Sequence, residues 1–303
     1  MIIQLYSQSF CIEIESKSIN LLKAFQRCRI LPTIIPNIRI SQENNINKVS
    51  YKIVHIQDNA NSITTQDTIF HIHEIWSDDD IPGYIIFFIY KLFDHLYLSK
   101  HYISFHSSAI AKNDKGILLV GPAGSGKTGT MLHMVLKKSY YFLSNNRTIV
   151  DVDMSSIIAG TSHISIRKED LFRYQDVIQS TATYTTVTGF QIMEPHEIGI
   201  HQTTELPQPL SAIVLIKITS DSSKFQEISP EVGIYKLYEN ISRTQWGEGL
   251  LFAGQKISPI LDTAQTAQGR LDLLRLLLQK RPFYEICGSI ESIEGNIEKV
   301  LAM

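Results

Sequence analysis

The sequence predicts an α/β fold with a mixed sheet that carries a phosphate-loop motif, preceded by a smaller strand-rich portion. Three observations carry this. A glycine-rich loop stands between an apolar strand, "GILLV", and a helix-compatible "GTMLHMVLKK". Short segments with the two-residue period of strands are interleaved with longer ones at helical spacing. Hydrophobic residues make up 44% of the 303, enough for a sizeable core.

Residues 1–75 read as a first portion of short strands and polar loops, either a small domain or an extension of the main sheet. "IIQLYSQSFCIEIES" alternates loosely and "YKIVHIQ" alternates well, whereas "SQENNINK" and "QDNANSITTQD" read as turn-rich connectors. Residues 76–303 form the second portion. Its first element is a helix within "SDDDIPGYIIFFIYKLFDHLYLSK", with Asp78, Asp79 and Asp80 as negative charge at its start and Pro82 in its first turn. Residues 81–98 are the most apolar stretch. Lys91, Asp94 and His95 interrupt it, and a membrane span needs about 20 mostly apolar residues, so it reads as a buried helix. A strand, hairpin turn and second strand follow through "ISFHSSAIAKNDKGILLV". After the loop and its helix, "YYFLSNNRTIVDVD" is a strand region and "SSIIAGTSHISIRKEDL" a strand pair or strand and turn. "PLSAIVLIKITS" is a buried strand. "ISPEVGIYKLYENI" is a helix with Ser229 as N-cap and Pro230 at its first position. "TAQGRLDLLRLLLQK" is an amphipathic helix, "PFYEICGSI" a late strand and "SIEGNIEKVLAM" a final helix.

Composition removes several classes. The net charge of −2 gives no general electrostatic attraction to nucleic acid or anionic membranes. Cys11, Cys28 and Cys287 are few and scattered, so no disulfide framework is expected. His71 and His73 share one face of a strand rather than forming a metal site. The first residues lack a charged and then apolar signal-peptide pattern, and the expected compartment is the cytoplasm. No Gly-x-Ser-x-Gly elbow supports a serine hydrolase. Oligomeric state leaves no signal.

The chemistry lies in Gly121, Pro122, Ala123, Gly124, Ser125, Gly126, Lys127 and Thr128, which fit G-x-x-x-x-G-K-[ST]. Such a match arises by chance in roughly one chain per hundred of this length. Glycines let successive amides face one concavity, and a helix N-terminus adds positive potential there. Lys127 is expected to reach the β- and γ-phosphates of ATP or GTP, and the Thr128 hydroxyl to ligate Mg²⁺. A second feature begins 18 residues beyond Lys127, namely Asn145, Asn146 and Arg147, then Asp151 and Asp153. A phosphoryl-transfer site needs a carboxylate on a neighbouring strand end, and two asparagines stand there instead. Asp151 is five residues from Asn146, an odd offset that faces it to the other side of a regular strand.

At this point "FHSSAIAKNDKGILLVGPAGSGKT" and "YYFLSNNRTIV" resemble the catalytic domain of HPr kinase/phosphorylase and its relatives, including kinases of lasso-peptide clusters. That family is related in fold to phosphoenolpyruvate carboxykinase. The close match covers roughly residues 103–151, with a looser one to the C-terminus. The resemblance implies a kinase: triphosphate and Mg²⁺ on residues 121–128, His106 near the acceptor, Asn145 and Asn146 at the positions of the family's acidic pair, and Arg147 at its arginine. The implied acceptor is a Ser hydroxyl of a protein or peptide. The chain departs from the family in carrying no acid at either position of the pair. A nucleotide-binding pseudokinase is therefore the alternative, and a carboxykinase or small-molecule kinase on the same fold is a third reading.

Other residues read more plainly. Ser107 and Ser108 are packing or capping residues. Arg167 and Lys168 form either a solvated pair or a strand-end cation site. Trp246, between Arg243 and the glycines at 247 and 249, either stacks at the site or packs. Lys280 and Arg281 complement a helix dipole.

Overall fold

Residues 1–75 build a sheet of their own. β1 (Ile2–Ser7) and β2 (Phe10–Ser16) form a hairpin, and β3 (Arg39–Ser41), β4 (Tyr51–Ile56), β5 (Ser62–Gln66) and β6 (Ile69–His73) extend it in the order β3-β1-β2-β4-β6-β5. β2 pairs with β4 and β4 with β6 in parallel, and the remaining pairs are antiparallel. The structure is a computed structural model and describes all residues except 19, 43–47, 61, 77–80, 175–177, 179–183, 187–188, 201–204, 221–222 and 248–260. Asp78, Asp79 and Asp80, and the loop beyond Gly247, thus lie outside the described residues.

Three features of this portion differ from expectation. The expected connector at 57–67 contains β5, an edge strand with only Ile63 partly covered, so no buried alternation marks it. Two short helices, α1 (Leu21–Arg27) and α2 (Leu31–Ile34), stand where strands and loops were expected. Leu21, Ala24 and Phe25 of α1 bury against the sheet, and that packing, not the length of the helix, holds it. Pro82 is the N-cap of the next helix, α3 (Gly83–Leu98), rather than part of its first turn.

α3 covers the first sheet. Ile85, Phe88 and Leu92 share one core with Ile12, Ile14, Ile53 and Phe70, and the Phe70 and Phe88 rings meet edge to face at 5.3 Å. Ile149 and Ala159 join that core from the second sheet, so it continues past residue 75. Among the described residues, no helix is long and apolar enough to cross a membrane.

The second sheet holds β7 (Tyr102–Lys112), β8 (Lys115–Val120), β9 (Tyr141–Ser144), β10 (Arg147–Asp151) and β11 (Ser156–Gly160). Strands β12 (Ile164–Arg167), β13 (Tyr184–Thr185) and β14 (Phe190–Met193) form a separate three-stranded sheet. The segment read as a strand pair or strand and turn holds two strands, β11 and β12, which belong to different sheets and do not pair with each other. β15 (Gln208–Ile218), β16 (Lys224–Ile228) and β17 (Phe283–Gly288) complete the larger sheet, in the order β11-β10-β7-β8-β15-β17-β16. β15 lies parallel to both β8 and β17, so the sheet is mixed, as the sequence predicts. On one face pack α4 (Lys127–Lys138) and the last helix. The short α5 (Lys168–Leu171) follows β12. On the other face pack α6 (Pro230–Ser242) and α7 (Ala264–Lys280), and α8 (Ile290–Ala302) is that last helix. Ser229 holds the N-cap position of α6, without a side-chain capping bond, and Pro230 opens the helix.

The expected single strand at 140–153 is broken. β9 and β10 both run antiparallel to β7 along the same edge, β9 opposite residues 109–111 and β10 opposite residues 102–106. Between them Asn146 adopts φ 76, a left-handed conformation that Asn tolerates and most side chains do not. Its amide donates to the Thr33 carbonyl at 3.3 Å, and its own carbonyl accepts from the Ser107 N–H at 3.1 Å. Asn146→Ala is expected to cost about 1–2 kcal/mol from the backbone conformation. Asn146→Gly should recover most of that loss; denaturant unfolding of the two variants side by side measures both.

Candidate functional site

Residues 121–126 join the end of β8 to the start of α4, with both flanking elements in the core. Gly126 is the N-cap residue of α4 at φ 97, and a Cβ there would lie 2.4 Å from Ile218 Cδ1, so both backbone and packing require glycine. The loop is tied to its neighbour strand, because the Ile218 N–H donates to the Ser125 carbonyl at 2.9 Å. Lys127 is buried, and its Nζ donates to the carbonyls of Gly121 at 2.7 Å and Pro122 at 3.0 Å. The side chain thus arches back over the loop and sets its ammonium at the first two residues of the motif.

Asn145 meets this loop from β9. Its Oδ1 accepts from the Thr128 hydroxyl at 3.0 Å and from the Ser108 hydroxyl at 3.1 Å. The Thr128 proton is thereby directed at Asn145, which turns the lone pairs of Oγ1 away from it. Asn145 is fully buried and its Nδ2 has no hydrogen-bond partner; the buried Ser125 Oγ is likewise unpartnered. Unmet buried polar atoms call for an explanation. Here they sit beside a loop rich in donors, which fits an anionic, oxygen-rich ligand. Thr128 is the side chain placed to give one oxygen to a hard cation that takes its other ligands from phosphate and water. Among the described residues, no three His, Cys, Asp or Glu converge on a common point.

The two asparagines therefore separate. Asn145 joins Thr128, while Asn146 turns to Thr33 on α2 and does not reach the loop. Asp151 and Asp153 are at the opposite end of β10. Asp151 caps the Met154 N–H at 2.9 Å and Asp153 meets His101 at 3.0 Å, so neither supplies a carboxylate to the loop.

His106 and Arg147 stand directly opposite each other across β7 and β10. Side chains of such a pair share one face of the sheet. The Arg147 guanidinium lies 4.7 Å from the ring centre of Tyr90 on α3, and the Tyr90 hydroxyl bonds the Ser104 hydroxyl at 2.7 Å. Burial pushes Tyr90 up to about 12. Farther behind lies Asp94, which accepts from Gln245 Nε2 at 2.6 Å. Burial raises its carboxyl to about 6, against the opposing pull of Gln245, Arg147 and Arg270. Burial, and then the cations of Arg147, Lys127 and Arg243, hold His106 well below the usual histidine range. Its imidazole is neutral at pH 7.

Sequence reading missed one residue that fixes this arrangement. β8 ends opposite Ser107, so the His106 backbone has no strand beside it on that edge. Asn240 of α6 supplies both partners, accepting from the His106 N–H at 2.9 Å and donating to its carbonyl at 3.0 Å. Ser108, read as packing, belongs with Thr128 and Asn145; its place two residues from His106 on the same strand face was the available signal. Arg167 is exposed and its guanidinium lies 5.4 Å from the Phe190 ring, outside this group, and Lys280 bonds the Val152 and Asp153 carbonyls.

A cavity of about 630 Å³ opens beside the loop, bounded by His106, Gly121, Pro122, Leu215 and the face of α6 from Glu231 to Arg243, with Trp246 at its rim.

The depressed His106 gives a pH signature with a definite sign. The unfolded chain takes up this proton below about pH 6.5 and the folded chain does not. Stability is therefore expected to fall as pH drops through that range. His106→Gln should lower the slope by up to about 1.4 kcal/mol per pH unit. Urea unfolding of the two proteins between pH 5 and pH 7 reads the difference.

No protein-family model and no curated protein matches the chain. Among solved structures it is similar to the Hpr(Ser) kinase/phosphatase from Coxiella burnetii. The aligned region covers 66% of this chain and 93% of that one, at 10% identity and a TM-score of 0.30. A likeness at that score carries no argument about family or activity.

Proposed function

We propose that residues 121–128 bind the phosphates of ATP or GTP and that the chain is a phosphotransferase, moving the γ-phosphoryl group to a hydroxyl, a Ser of a protein or peptide. One observation carries this reading. A glycine-rich loop with a buried lysine arched over it joins a core strand to a helix start, and Thr128 and the buried Asn145 converge on the same point. The loop amides and Lys127 neutralise the triphosphate. Thr128, oriented by Asn145, holds Mg²⁺, which when bound offsets charge on the phosphate oxygens. In the reaction the acceptor oxygen forms a bond to the γ-phosphorus, the bond from that phosphorus to the bridging oxygen breaks, and the nucleoside diphosphate leaves. The hydroxyl proton passes to solvent. The transition state is loose, so positioning and charge outweigh proton removal. Arg147 and Lys127 supply that charge, and His106 lines the acceptor side.

A specific observation favours a second reading, a nucleotide-binding pseudokinase. Asn stands at both positions where a carboxylate is needed, and Asp151 and Asp153 are held at the far strand end.

Calorimetry with ATP and with GTP in magnesium tests the shared premise. Heat of binding in the native chain that vanishes in Lys127→Ala is expected, and no difference between the two proteins removes both readings. Incubation with γ-labelled ATP then separates them, since transfer or phosphate release marks the enzyme and tight binding without turnover the pseudokinase. Asn145→Asp places a carboxylate on Thr128 and is expected to raise turnover, whereas Asn146→Asp, directed at the Thr33 carbonyl, should leave it unchanged.

A further inference from the structure

We infer that the cavity along α6 is the acceptor subsite, and that it takes an extended peptide segment in which a large apolar or aromatic side chain lies next to the hydroxyl-bearing residue. This rests on the nucleotide reading above and adds the chemistry of the second substrate. Three observations assign it.

The first is direction. A lysine at this motif position reaches the β- and γ-phosphates. Lys127 Nζ lies against the carbonyls of Gly121 and Pro122, so the γ end of a bound triphosphate faces the first residues of the loop. The cavity begins at those same two residues and at His106. Its occupant meets the transferable phosphoryl group, not the nucleoside.

The second is shape. Its lining on α6 runs from Glu231 to Arg243, so the cavity extends along that helix. Twelve helical steps span about 18 Å. At about 3.3 Å per residue it matches some five residues of extended chain.

The third is the chemistry of its walls. His106 stands at the loop end, and apolar surface from Val120, Leu215, Ile234 and Leu237 is interspersed with Glu231, Lys236 and the Glu239–Arg243 ion pair. At the rim Tyr235 is 84% and Trp246 is 56% exposed, and Trp246 meets Tyr238 edge to face at 6.3 Å. Exposed aromatics bordering apolar surface are the elements that dominate recognition energy when covered.

The test is a binding selection, so it does not depend on turnover. Short peptides with a fixed central Ser and randomised neighbours are passed over the immobilised full-length chain loaded with a non-hydrolysable ATP analogue and magnesium. Enrichment of Leu, Phe, Tyr or Trp at one position beside the Ser is expected. Affinity for the selected peptide should fall about tenfold or more in Tyr235→Ala combined with Trp246→Ala, and hold in Met154→Ala, an exposed apolar control. ATP affinity of the double variant, measured in parallel by calorimetry, should be unchanged. No enrichment, or enrichment that survives in the double variant, overturns the assignment. Loss of ATP affinity in that variant also overturns it, placing the base in the cavity. A native chain without ATP heat refutes the nucleotide reading instead, which keeps the two failures distinct.

Discussion

β7 sets the terms for the rest of the site, because its eleven residues point their backbone groups alternately to two edges and no single neighbour supplies them all. On one edge β10 serves its first half and β9 its second, with the Asn145–Asn146 break between. On the other, β8 serves residues 107–112 and then departs into the glycine-rich loop. Every such departure leaves backbone groups exposed, and here those of His106 go to Asn240. The loop, the broken strand and α6 are thus brought to one place by the hydrogen-bond needs of one strand. The cavity is the gap between the loop that leaves and the helix that fills in.

The electrostatics follow from the same placement. His106, Lys127, Arg147 and Arg243 gather on one side, where burial and mutual repulsion keep the imidazole neutral. Arg243 is paired with Glu239, and Asp94, behind Arg147 among α3 residues, is itself pushed toward neutrality by burial. An anionic ligand at the loop would bring a counter-charge to Lys127.

Much of this was legible in the sequence because it is local. Strand, loop and helix at 116–138 are adjacent in the chain, and the apolar periods on either side of the glycines suffice to order them. The α6 start is legible for the same reason, from Ser229 and Pro230. What escaped depends on contacts distant in sequence or on backbone angles. Asn240 is 134 residues from the strand it completes. α1 is a helix because the first sheet covers Leu21 and Phe25, and β5 is a strand because β6 offers it an edge, although its own residues are mostly exposed. β11 and β12 are consecutive but do not pair, because β11 is taken by β10 and β15.

The asparagine pair shows the limit most clearly. In the sequence the two positions look equivalent, as adjacent asparagines where an acidic pair is expected. The backbone decides otherwise. The left-handed turn at Asn146 reverses the direction of its side chain and sends it to Thr33, leaving Asn145 alone with Thr128. An amide at position 145 still accepts from that hydroxyl, so the orientation of Thr128 needs no charge there. What it cannot supply is the negative charge itself, on a hydroxyl next in the chain to Lys127. For the proposed phosphoryl transfer the missing charge thus belongs to Asn145 alone, and Asn146 answers to the fold.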